Sequence, residues 1–112
     1  MAWIFKKAPK LDIAEILYDT GEVHYRYSRK MSKDGTKWIR EGAFVEYHRD
    51  GSVASEGQYD DGLETGLWKD YHENGVLAAE GEYREGEEVG VWRFYDEQGE
   101  LESEEDYDAE EE

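Results

Sequence analysis

Two stretches of this chain, 24 residues apart, are nearly the same: FVEYHRDGSVASEGQYDDGLETG (44–66) and WKDYHENGVLAAEGEYREGEEVG (68–90). A period of that length restricts the fold to a stack of like units, each burying its apolar side against the next. Three copies align. Phe44, Trp68 and Trp92 share one position, and Tyr47, Tyr71 and Tyr95 follow three residues later. Gly51, Gly75 and Gly99 are in phase, as are Val53, Leu77 and Leu101, then Glu56, Glu80 and Glu104, then Tyr59, Tyr83 and Tyr107. Glycines recur at 57 and 81, 62 and 86, and 66 and 90, while the third copy carries Glu105 in place of the first of these.

Each copy is punctuated as two strands. RDG, ENG and EQG are hairpin signals, because the glycine supplies the φ > 0 residue that such a turn demands. In DDGLETG and REGEEVG the glycines are four apart, which suits a longer connection or a bulge. Between the turns run segments rich in Trp, Tyr, Phe and Val, the residues of strands. Helix is excluded by glycine density, since each interior glycine costs about 1 kcal/mol relative to alanine. Trp68 and Tyr71 are three apart, so a regular strand points them to opposite faces. Either both faces carry aromatics or a bulge restores the phase.

Upstream the spacing is lost and the grammar persists. YDTGEVHYRYSRKM reads as a turn and an alternating strand with Val23, Tyr25 and Tyr27 on one face, and SKDGTKW as another hairpin signal. Residues 1–17 form an N-terminal segment whose LDIAEIL is open between short helix and strand. Residues 18–42 read as a divergent hairpin, followed by repeats at 43–66, 67–90 and 91–107 and an acidic, disordered tail at 108–112.

YDDGLETGLW (59–68) and YREGEEVGVW (83–92) resemble the Y-x-x-G-x-x-x-G-x-W core of MORN repeats. The rest of each unit is similar to a bacterial MORN variant found in antitoxins of toxin–antitoxin systems. The resemblance implies an elongated all-β antiparallel meander, recognition as the activity, and no catalytic residues or cofactor. Phospholipid binding, ascribed to some MORN proteins, is opposed here by charge. Residues 43–112 hold twenty-four Asp/Glu against four Lys/Arg, whereas residues 1–42 hold six against nine.

A net charge of −17 concentrated in the repeats argues against direct contact with nucleic acid or an anionic membrane, because phosphate contacts are made by Lys and Arg. It favours a basic protein partner. With no cysteine, thiolate chemistry and disulfides are excluded, and a reducing, cytoplasmic setting is expected. His48 and His72 recur at one repeat position, where neighbouring copies put them about 10 Å apart, too far to share one metal ion. The carboxylate runs beside turn glycines are solvated and lack the desolvated pocket that general acid–base chemistry needs.

The functional expectation is therefore a non-catalytic module that binds a basic toxin or effector through an acidic face. Two rivals are an acidic nucleic-acid mimic occupying another protein's binding site, and a self-assembling structural module or homo-oligomer. The candidate contact residues are the acids Asp60, Asp61, Glu85, Glu87 and Glu88 at the second turn, with the aromatics Trp68, Tyr71, Trp92 and Tyr95. One apolar face of so thin a sheet is expected to need a cover: a terminus, a second copy or a partner.

Overall fold

Glycine-punctuated, β-branched and aromatic segments can bury themselves only by pairing side by side, and in the computed structural model they do so in strict chain order. The model describes residues 10–109. Eight strands form one antiparallel sheet in the order β1 to β8: Asp12–Leu17, Val23–Met31, Trp38–Tyr47, Val53–Asp60, Leu63–Tyr71, Leu77–Arg84, Glu87–Tyr95 and Leu101–Asp106. No helix occurs among the described residues, so none there is long and apolar enough to cross a membrane. The LDIAEIL segment is resolved as strand β1, paired along β2. The expectations for residues 1–9 and 110–112 lie outside the described residues. The Cα radius of gyration, 17.5 Å, exceeds the roughly 13 Å of a compact chain of this length, as a meander without a second layer requires.

From β3 onward, two kinds of turn alternate along the two ends of the strands. At one end, the His48 amide donates to the Ser52 carbonyl and the Gly51 amide to the His48 carbonyl, and the pattern repeats at His72–Val76 and Asp96–Glu100. This is a three-residue loop closed by a glycine at positive φ, +87° at Gly75. At the other end, Asp60 pairs with Leu63 across only Asp61 and Gly62. Asp61 and Glu85 themselves take positive φ, 50° and 51°, ahead of their glycines. That is the two-residue turn with both residues left-handed, whose twist matches the strands.

The second glycine of each four-apart pair lies in a bulge. Glu56 pairs with Lys69 and Gln58 with Thr65, so Gly57 alone faces Gly66, Leu67 and Trp68. Gly81 faces Gly90, Val91 and Trp92 in the same way, and Ser28 faces Glu41, Gly42 and Ala43. The four-apart glycines thus encode a tight turn and a bulge together.

The core is a column of rings on one face of this single sheet. Phe44, Trp68 and Trp92 are buried, and Tyr25, Tyr27, Tyr59, Tyr83 and Phe94 pack against them. Each indole lies flat over a glycine of the preceding strand. A Cβ on Gly57 would fall 2.1 Å from the Trp68 ring, and one on Gly81 2.1 Å from the Trp92 ring. The indole nitrogens then donate to the carbonyls of Gln58 and Glu82, at 3.2 and 3.1 Å. Tyrosines stand edge-on between the indoles: Tyr59–Trp68, Trp68–Tyr83 and Tyr83–Trp92 have centroid separations of 5.3, 5.7 and 5.1 Å, a geometry worth about 0.5–1.5 kcal/mol per pair beyond burial. Where the preceding strand has Tyr27 instead of glycine, the smaller Phe44 stands opposite it, 6.4 Å away.

The expectation that this face needs an outside cover is corrected here. Phe44, Trp68 and Trp92 are only 6%, 7% and 6% exposed within one chain. The glycine hollows let the rings sink and cover one another.

Candidate functional site

On the opposite face, register converts an apparently random mixture of charges into an ordered row. Glu15 pairs with Arg26, and across the later strands Glu56, Lys69, Glu80, Arg93 and Glu104 stand directly opposite one another in turn. The sign alternates at every step from Glu56 to Glu104. Opposite charges placed directly across strands stabilise a sheet, by roughly 0.2–1 kcal/mol each. Among the described residues Glu15–Arg26 and Arg93–Glu104 close to ion pairs, at 2.8 and 3.5 Å.

Tyr71 and Tyr95 share this face. Their hydroxyls donate to Glu56 and Glu80 at 2.9 and 3.1 Å, and burial, followed by those carboxylates, raises both hydroxyl pKa values. Trp68 and Tyr71 therefore point to opposite faces, so both faces carry aromatics. Of the four candidate aromatics, Trp68 and Trp92 are buried in the ring column and offer a partner no contact area. Tyr71 and Tyr95 are half-buried on the charged face.

The candidate acids gather at the tight-turn end. Asp60, Asp61 and Glu85 line one shallow hollow of about 400 Å³ together with Leu63, Glu64 and Arg84. Asp61 is partly neutralised: Lys30 Nζ lies 3.0 Å from its carboxylate, and its backbone amide donates to Glu41 Oε1 at 2.7 Å. Glu85 occupies the equivalent turn position one repeat later and forms no ion pair among the described residues. Glu87 and Glu88 stand on β7 opposite Arg84 and Tyr83, outside the hollow but on the same rim. Among the described residues, six of the seven ion pairs fall within residues 12–61, and Arg93–Glu104, at 3.5 Å, is the exception. Residues 62–109 carry sixteen Asp/Glu against three Lys/Arg. Uncompensated negative charge thus lies on the turns and free edge of the last two repeats.

The histidines have a role that composition did not reveal. His48 Nε2 donates to the Tyr71 carbonyl at 2.9 Å and His72 Nε2 to the Tyr95 carbonyl at 2.8 Å. Tyr18, at the corresponding turn position of the divergent hairpin, bonds the Tyr47 carbonyl through its hydroxyl at 2.7 Å. These side chains stitch each three-residue turn to the next repeat. Their recurrence at 24 residues was the available signal, and only the register shows what they bond. Among the described residues no group of three or more His, Asp or Glu is arranged to hold a metal ion.

The geometry is that of a repeat array whose invariant positions make turns, hollows and stitches. A family model described as MORN repeat variant matches residues 40–61, 64–85 and 88–109, three units at the same 24-residue period. No curated protein and no solved structure matches the chain. The three matches span more than half of the residues, and each takes in one three-residue turn with the strands on either side. The chain belongs to the MORN repeat variant family.

Proposed function

We propose that this chain is a non-catalytic recognition module that binds a basic protein through the acidic tight-turn rim of its repeats. The observation that carries the reading is the division of labour among its side chains. The repeat indoles Trp68 and Trp92 are consumed by the core and the charged row sets opposite signs against one another, which leaves the turn carboxylates as the charge presented outward. The hollows of the described surface are shallow and open, and in the one where carboxylates gather Asp60, Asp61 and Glu85 are exposed, without the desolvation that a reacting carboxyl needs. Such a rim raises the rate at which a basic partner arrives and disfavours acidic ones. The absence of cysteine suits work in a reducing cytoplasm.

In its narrower form the reading is an antitoxin or immunity role, in which the rim occupies the basic working surface of a toxin or effector. The likeness of the repeat unit to MORN variants of antitoxins supports that form. The broad reading is tested by calorimetry at low salt with two small probe proteins, one strongly basic and one acidic. Binding of the basic probe alone is expected, weakened at least about tenfold when Asp60, Asp61, Glu85, Glu87 and Glu88 are changed to Lys. Equal binding by the native and reversed chains would overturn the assignment of the rim. The narrower form predicts that co-expression relieves the toxicity of a basic protein encoded beside this chain, and unchanged toxicity would contradict it.

A further inference from the structure

The sheet ends on a strand with one free side. Among the described residues β8 is paired with β7 alone, and all six of its residues are exposed. The Tyr107 amide donates to the Gly90 carbonyl, so it points inward. Backbone groups alternate in direction along an antiparallel strand, so both backbone groups of Glu104 and the amide of Asp106 point away from the sheet, while the Asp106 carbonyl accepts from the Ala109 amide at 3.4 Å. Glu105 stands opposite Trp92 on the ring face, whereas Glu104 and Asp106 stand opposite Arg93 and Val91 on the charged face. Both faces of this edge are acidic. The other edge differs: on β1 both acids are held, Asp12 by Arg29 at 2.7 Å and Glu15 by Arg26 at 2.8 Å, whereas on β8 Arg93 reaches Glu104 alone, at 3.5 Å.

Outward N–H and C=O groups are a template for an added strand. The repeat's own grammar says which strand does not fit. In the repeats both indoles, Trp68 and Trp92, lie back over a glycine of the preceding strand, with no room for even a Cβ. At the place where a ninth strand's indole would have to lie, β8 carries Glu105. Another aromatic repeat, from this chain or a second copy, meets a side chain there. A lysine or arginine instead meets a carboxylate on either face.

We propose that β8 is the docking edge for an extended basic segment of a partner protein, added as a ninth strand with Lys or Arg beside Glu104, Glu105 and Asp106. The proposal rests on the reading that the partner is basic and specifies how it is held. The test titrates the isotope-labelled full chain with a short blocked peptide alternating lysine and valine. A second peptide is identical except for N-methylation of two adjacent central amides, which blocks both of its edges at the same charge. The first peptide is expected to shift the Glu104 and Asp106 amides and protect them from hydrogen exchange. The methylated peptide should bind about tenfold more weakly, the loss of one or two backbone hydrogen bonds. Equal affinities, or protection confined to other strands, would overturn strand addition and leave the basic-partner reading standing. Failure of both the peptide and the basic probe protein would overturn both.

Discussion

Gly81 and Trp92 define the smallest unit of this fold, and glycine is required there for space alone. Its Cβ position coincides with the indole, and its φ lies outside the left-handed region. Gly75 is the opposite case, with open space around it and φ +87°. Two changes of similar appearance should therefore fail for different reasons. Gly81→Ala is expected to destabilise by about 3 kcal/mol through overpacking, and Gly75→Val by about 1–3 kcal/mol through backbone strain. Trp92→Phe, which imitates the Tyr27–Phe44 pair, should absorb at least about 1 kcal/mol of the Gly81→Ala loss and none of the Gly75→Val loss. Denaturant unfolding of the single and double variants measures this coupling, and additive losses at Gly81 and Trp92 would show that the ring does not depend on the hollow. The repeated glycine at 57 and 81 was legible in the sequence as a phase mark. That it is a seat for an indole was not, because the seat and the ring are 11 residues apart and meet only through the bulge.

Among the elements, the strands and the three-residue turns could be read directly, since their signals are local: aromatic and β-branched runs, then Asp-Gly, Asn-Gly or Gln-Gly. The tight turns were legible only as an alternative between bulge and longer connection, because Asp61 and Glu85 adopt a backbone region that a non-glycine residue does not announce. The charged row and the histidine stitches depend on register, which no single strand contains. Packing of the tyrosines between strands has a measurable consequence at high pH. Burial raises the hydroxyl pKa of Tyr83 and Tyr25 above their ordinary value of 10.0, with the carboxylates Glu88 and Glu46 next in effect. A raised folded-state pKa makes the protonated form the one that favours folding. The contribution is whole below pH 10 and is lost as pH rises through the folded values. Melting temperature should hold up to about pH 10 and fall above it, together with the near-ultraviolet signal of the ring column. Tyrosines that all ionise at the ordinary value with the signal intact would contradict this packing.

For the whole molecule, a net charge of −17 on a thin sheet puts self-repulsion against ring packing. The N-terminal half answers with ion pairs such as Arg49–Asp19 and Lys30–Asp61, whereas the last two repeats leave most of their carboxylates unanswered. Raising ionic strength from about 0.01 M to about 1 M shortens the Debye length from about 30 to about 3 Å, so thermal stability should rise with salt; a fall would mean that the ion pairs outweigh the repulsion. The uneven charge was plain in the sequence, but its location on turns and a free edge, away from the buried indoles, was not. The central claim is that these outward carboxylates steer a basic protein into contact. The most direct measurement is the association rate of a strongly basic probe protein at low and high salt, for the native chain and for the chain with Asp60, Asp61, Glu85, Glu87 and Glu88 reversed to Lys. The account predicts fast association at low salt that slows steeply as salt is added, and a slow, nearly salt-independent rate for the reversed chain. Equal rates for the two chains at low salt would contradict it and reduce the acidic rim to a solubility coat.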